Sequence, residues 1–232
     1  MYRGKKFLAI IPARSGSKGL KNKNIKLLNG KHLIGYTIEA AKDSNIFDYI
    51  LVSTDSSIYA EVAKIYGANV PFLRSKEFSE DNSTTESVIL STISKLKSMD
   101  MIYDYFVLLQ PTSPLRTAED IINSVNLLLD NDLNSVVSVC EMEHSIKICN
   151  KIPEDLSMNN FLSKSDNKRR QEMEKYYRIN GAIYISNINE YLESRNFYNE
   201  KSKAYIMKSI NSIDIDSDLD FIIAKSIMEL KI

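Results

Sequence analysis

The stretch Ile10-Ile11-Pro12-Ala13-Arg14-Ser15-Gly16-Ser17-Lys18-Gly19-Leu20, continued by Lys21, Asn22, Lys23 and Asn24, decides how the chain is read. The apolar run Phe7 to Ile11 before it predicts a buried strand. Pro12 ends that strand, because it has no N–H to continue a ladder. The residues after Pro12 are small, flexible and basic. The chain has seven glycines, and Gly16 and Gly19 both fall here, among Arg14, Lys18, Lys21 and Lys23. Such a loop turns backbone N–H groups and positive charge toward one point, which is the chemistry of a phosphate site at a strand's end. A solvated basic loop between a strand and a helix has the same composition, so the surrounding chain has to decide between them. No G-x-x-x-x-G-K-[ST] and no G-x-G-x-x-G is present. That removes a P-loop ATPase and a standard dinucleotide dehydrogenase.

Working outward, strand and helix patterns alternate. Leu33 to Ala41 carries an apolar stripe at helical spacing, and Tyr49 to Ser53 reads as a strand. Asp55 or Ser56 caps a helix from Ile58 to Tyr66, which Gly67 closes. A short strand, Asn69 to Leu73, ends at Arg74; polar residues 79–85 lead into a helix from Glu86 to Met99. Tyr105 to Leu109 is a strand that stops at Gln110-Pro111-Thr112-Ser113-Pro114-Leu115-Arg116. Thr117 caps a helix from Ala118 to Leu129, and Ser135 to Cys140 is the next strand. This alternation predicts an α/β fold with a mostly parallel sheet and helices on both faces. Ligands of such sheets bind beyond the carboxyl ends of the strands. Arg14/Lys18, Thr54/Asp55, Arg74 and Gln110/Arg116 all fall at such ends. Their convergence favours a phosphate site over a solvated loop.

The alternation breaks between Glu141 and Arg178, a polar excursion suited to a lid or a subunit contact. Structure resumes with a strand at Ile179 to Ile185, a short helix at Asn189 to Glu193 and a strand at Ala204 to Met207. A last helix spans 218–230, with Leu219, Ile222, Ile223, Ser226, Ile227 and Leu230 as its expected inner stripe. Ahead of it stand Asp214 and Asp216, which leave one face if Ile213 to Asp216 is extended. Two carboxylates so placed suit Mg²⁺, which takes one or two carboxylates and completes its shell with water and phosphate oxygens. The bland alternative makes Asp216 a cap for the last helix.

Composition sets outer bounds. At 232 residues the chain suits one domain with an excursion, and 44% apolar residues suffice for a core. Net charge is zero, which argues against a general nucleic-acid binder. The apolar run after Lys6 is too short for a signal peptide or a membrane span, so a soluble cytoplasmic protein is expected. The two cysteines, Cys140 and Cys149, fit a reducing compartment, and with His144 they match no standard zinc site.

Five segments, in order along nearly the whole chain, resemble one family. They are Ile11-Pro12-Ala13-Arg14 to Gly19, Leu108-Leu109-Gln110-Pro111-Thr112-Ser113-Pro114-Leu115-Arg116, Arg169-Arg170-Gln171, Asn180-Gly181-Ala182-Ile183-Tyr184 and Ser212-Ile213-Asp214-Ile215-Asp216. They look like the motif set of the CMP-sialic acid synthetases (N-acylneuraminate cytidylyltransferases), including CMP-legionaminic acid synthetase-like members. The resemblance implies a Rossmann-like three-layer fold, a homodimer contacted through residues 141–178, and Mg²⁺-dependent activation of a nonulosonic acid with CTP. By resemblance, Arg14, Ser15 and Lys18 would take the triphosphate and the departing pyrophosphate, and Lys23 the α-phosphate. Asn24, Arg74, Ser83 and Thr85 would hold cytosine and ribose. Gln110, Arg170, Arg178, Asn180, Tyr184, Phe197 and Tyr198 would form the sugar pocket. Asp214 and Asp216 would hold the metal, with Asp216 counted among the catalytic groups beside Arg14, Lys18 and Lys23. Synthesis of CMP-octulosonate or activation of pseudaminic acid is the neighbouring alternative. A non-catalytic nucleotide-binding protein would need neither carboxylate.

Overall fold

A computed structural model describes residues 1–16, 20–75, 84–159, 161–162 and 173–230. In chain order the strands are β1 (Phe7–Pro12), β2 (Leu27–Leu28), β3 (Lys31–His32), β4 (Tyr49–Ser53), β5 (Tyr105–Leu108), β6 (Ser135–Glu141), β7 (Tyr177–Asn187) and β8 (Ser202–Met207). The helices are α1 (Leu33–Asp43), α2 (Ser57–Ile65), α3 (Thr85–Lys97), α4 (Ala118–Asp130), α5 (Ile188–Ser194) and α6 (Asp218–Leu230). Six strands form one sheet in the order β4-β1-β5-β7-β6-β8, and β2 and β3 form a small hairpin. β1 pairs in parallel with β4 and β5, and β6 with β8. β7 runs antiparallel to both of its neighbours, β5 and β6.

Alternation along β1 builds the layers. Phe7, Ala9 and Ile11 face one way, into a core with Ile34 and Ile38 of α1, Ala63 of α2 and Val125 of α4. Leu8 and Ile10 face the other way, against Ile89 and Ile93 of α3 and Tyr191 of α5. β1 is thus fully covered, as a continuous apolar run requires. A third cluster ties Leu28 and Leu33 to Ile215 and Ala224 of α6, bringing the end of the chain beside its opening loop.

The caps obey local chemistry. The Ser56 hydroxyl accepts from the Tyr59 N–H to start α2, and Thr117 forms a capping box with Asp120 at α4. Gly67 closes α2 at φ +90°, a conformation that suits glycine.

Four expectations differ from the structure. Residues 69–73 make a single bridge, Leu51 with Asn69, and no strand, since Pro71 has no N–H to carry a ladder. Ile213 to Asp216 is not a strand; it is an irregular arm anchored by buried Ile215. The strand expected at 179–185 is longer, and its direction is not visible in the sequence. The stripe expected to face inward on α6 faces out. Leu219, Ile222, Ile223 and Leu230 are exposed, while Ala224 is buried and Phe221 and Met228 pack beside it. Both stripes fit helical spacing, and only the position of the hairpin selects between them.

Candidate functional site

β1, β4 and β5 present their carboxyl ends together, and β7, being antiparallel, brings its first residues to the same edge. β4 and β5 flank β1 on opposite sides, so the edge beyond β1 is the switch point at which such sheets bind ligands.

On the β1–β4 side, the Ala13 N–H donates to the Ser53 carbonyl at 2.9 Å, the last tie before the two chains part. Asp55 then reaches across. One carboxylate oxygen accepts from the Ser15 N–H and the other from the Ser15 hydroxyl, each at 2.8 Å. Arg14 is half-buried, and its carbonyl accepts from Asn24 Nδ2 at 3.2 Å. Arg74 is buried; its Nη2 donates to the Ser53 carbonyl at 2.6 Å and its Nε to the Ser53 hydroxyl at 3.2 Å. Burial lowers Arg74 to about 10; Asp55 counters that fall and Arg14 adds to it. Arg74 therefore stays charged at neutral pH. Thr85 lies exposed in the first turn of α3. Lys18 and Ser83 lie outside the described residues.

On the β5–β7 side, Gln110 comes just after β5 and packs against Gly181. A Cβ on Gly181 would meet Gln110 Oε1 at 2.7 Å, so the close approach depends on glycine there. Arg116 does not line this edge, although its sequence position puts it among the strand-end cations. It is buried, and its Nη1 donates to the carbonyls of Gln110 at 3.2 Å and Ala182 at 2.9 Å. It clamps the loop after β5 onto β7. Burial lowers it to about 9, with Asp120 opposing. Asn180 is likewise turned inward. Its Nδ2 donates to the Ser212 hydroxyl at 2.9 Å, and its Oδ1 accepts from the Ser138 hydroxyl at 2.6 Å. Arg178 is exposed at the edge, with Nη2 donating to the Ser212 carbonyl at 3.2 Å. Tyr184 and Phe197 pack as a wall, ring centroids 5.3 Å apart, and Tyr198 is exposed nearby. Burial pushes Tyr184 up to about 12, with the charges of Tyr198 and Asp214 adding to the rise. Arg170 lies outside the described residues.

The carboxylate arm closes the site. The Ile215 N–H donates to the Thr112 carbonyl at 2.8 Å, which ties the arm to the loop after β5. Asp214 is half-buried, and its Oδ1 is buried with no hydrogen-bond partner among the described residues. Burial holds Asp214 above the usual carboxylate range and Asp216 raises it further, while Thr112, Lys23 and Arg178 pull it down. Asp216 is exposed and pairs with Lys23 Nζ at 2.9 Å, across most of the chain. An orphaned buried carboxylate oxygen beside a second carboxylate fits a cation. Asp220 accepts from the Ser217 N–H at 2.8 Å at the start of α6, so the helix start does not use Asp216 as its cap.

A family model described as cytidylyltransferase matches residues 8–230. The chain belongs to the cytidylyltransferase family. It is 39% identical to a CMP-N,N'-diacetyllegionaminic acid synthase of Legionella pneumophila, covering 97% of each chain. It is also 39% identical to an N-acylneuraminate cytidylyltransferase of Escherichia coli O18:K1:H7 over 97% of this chain, which spans about half of that longer protein (53%). Among solved structures, a CMP:2-keto-3-deoxy-manno-octonic acid synthetase complexed with CTP superposes with a TM-score of 0.70, covering 98% of this chain and 100% of that one. At 15% identity it shows the fold alone.

Several groups that shape this cytidylyltransferase site do not stand out in the sequence. Asp55 reads there as a polar strand end or an alternative cap, with no partner indicated; in the structure Ser56 caps α2 and Asp55 holds Ser15. Thr112 and Ser212, which read only as parts of motifs, anchor the carboxylate arm through backbone and hydroxyl groups. A backbone carbonyl carries no residue-specific signal, so no sequence pattern announces that contact.

Proposed function

We propose that the protein activates a nonulosonic acid with CTP, forming a CMP-sugar and releasing pyrophosphate. The observation that carries this reading is the match along the whole chain to the Legionella synthase, at 39% identity. The geometry supports it. Arg14 and Lys23 stand on one side of the strand ends, and Arg178, Tyr184 and Phe197 on the other. In this reading Arg14, Lys18 and Lys23 take the phosphates on a loop that Ser15 ties to Asp55, and Asn24, Arg74, Ser83 and Thr85 shape the nucleoside side. Arg170 or Arg178 receives the acid's carboxylate as a cationic fork. Gln110, Tyr184, Phe197 and Tyr198 shape the rest of the sugar pocket, with Asn180 bracing it from behind through Ser138 and Ser212.

The anomeric hydroxyl oxygen attacks the α-phosphorus in line and gives up its proton to water, and the bond from that phosphorus to the pyrophosphate oxygen breaks. Such chemistry is mostly positioning and charge stabilisation. Magnesium held by Asp214 and Asp216 would supply neutralisation at the phosphate under attack. Neither histidine is placed as a base: His32 pairs with the Tyr66 hydroxyl at 3.0 Å, and His144 is exposed in the excursion.

The wider assignments belong to the same reading. Residues 1–232 act as one cytidylyltransferase domain, and 141–178 serve a homodimer. Ile146, Ile152, Leu156 and Met158 are exposed in that excursion, and Ile179 and Ile206 are exposed on the sheet. No helix among the described residues is long and apolar enough to cross a membrane. Cys140 and Cys149 are both free, which suits the cytoplasm.

Pyrophosphate release decides the activity. It is expected only with CTP, Mg²⁺ and a nonulosonic acid together. A panel of sialic, legionaminic, pseudaminic and octulosonic acids identifies the substrate, and silence across the panel from folded protein overturns the reading.

A further inference from the structure

The nucleotide side contains a carboxylate that a polyanion site would be expected to avoid. Asp55 stands close enough to Arg74 to act on its charge, on the side that also carries Arg14, and there it opposes an incoming triphosphate. Its neighbours are held by hydrogen bonds. Thr54 is buried; its carbonyl accepts from the Arg74 N–H at 2.7 Å and its hydroxyl from the Ser56 N–H at 3.2 Å. Ser56 in turn caps α2. From this platform Asp55 grips Ser15 at two points, backbone and hydroxyl, with one oxygen each. Two such bonds fix both the path of the chain and the rotamer of Ser15. From the other side Asn24 holds the carbonyl of Arg14. The pair Arg14–Ser15 is therefore clamped from both flanks at the point where β1 gives way to the loop.

We infer that Asp55 is a positioning residue for CTP binding. Its bidentate grip on Ser15 aims Arg14 and the first turn of the loop, so that little ordering remains to be done when the nucleotide arrives. The inference rests on the CTP-dependent reading above.

The test measures CTP dissociation by calorimetry without any acid, and KM for CTP and for the acid by pyrophosphate release. The proteins are the full chain, Asp55→Ala, Asp55→Asn and Ser15→Ala. Asp55→Ala loses both bonds and weakens CTP binding by on the order of tenfold or more, since small misplacements at a site have large effects. KM for the acid stays within about twofold. The amide of Asp55→Asn accepts from the Ser15 N–H and donates to its hydroxyl, so it recovers most of the affinity. Ser15→Ala keeps one bond and falls between. The inference is overturned if folded Asp55→Ala binds CTP like the parent protein. It is equally overturned if Asp55→Asn is as weak as Asp55→Ala, or if KM for the acid rises as much as KM for CTP. Should Asp55→Ala not fold, Ser15→Ala decides: unchanged CTP affinity overturns the inference. A parent protein that binds no CTP overturns the functional reading instead, so the two failures are distinct.

Discussion

On the β1–β4 side of the site the polar groups are tied to one another: Ser15 to Asp55, Arg74 to Ser53, Asn24 to the carbonyl of Arg14. On the β5–β7 side the ties stop one step short. Arg116, Asn180 and Thr112 brace the backbone, but Gln110 and Tyr184 are only half-buried, Tyr198 is exposed, Arg178 and Asp216 are exposed with a tie each, to the Ser212 carbonyl and to Lys23, and Asp214 keeps a buried oxygen without a partner among the described residues. The relatives' names share the cytidylyl or CMP group and differ in the acid. In the proposed reading, a preset nucleotide side beside an open acid side matches that division. Preorganisation suits the constant ligand, and exposed side chains on a braced frame can be exchanged without disturbing the core.

The largest effect tests the arm that joins the sides. Asp216→Asn should lower turnover by about 10²-fold or more, as expected when charge stabilisation at the reacting phosphate is lost. Pyrophosphate release checks this, and an undiminished rate rejects the metal assignment. Arg74→Ala strikes the preset side. It removes a buried, hydrogen-bonded cation and should weaken CTP binding by about tenfold or more, leaving KM for the acid alone. A variant that alters both equally would erase the division. Gly181→Ala strikes the open side. The position has φ +75°, and the new methyl would press on Gln110. KM for the acid should rise roughly severalfold, with calorimetric CTP affinity unchanged. Thr117→Ala serves as the control. Losing its half of the capping box should cost about 1 kcal/mol and lower the melting temperature by about 2–4 °C, with neither KM affected.

Much of this is legible in the residues. The strand at Phe7–Pro12, the caps at Ser56 and Thr117 and the closing Gly67 are statements of local chemistry, and the structure has them at those positions. The site is legible as a set of polar strand ends, because a parallel sheet brings such ends together wherever it forms. Its inner workings are less so. Sequence position puts Arg116, and the family resemblance puts Asn180, at the ligand edge, and both are turned inward as braces. Long polar side chains carry no sign of which way they point.

The sequence by itself determined most of the main strands and helices, the layers and the roster of charged groups, since periodicity, caps and composition are properties of neighbouring residues. It did not reveal the β2–β3 hairpin or the lack of a strand at 69–73. Only the tertiary structure decided that β7 runs backward between β5 and β6, that the outer stripe of α6 stays exposed, and that Asp55 holds Ser15 rather than capping a helix. Each of these depends on groups far apart in the chain meeting in space. Such meetings are settled by packing geometry, which no local pattern records.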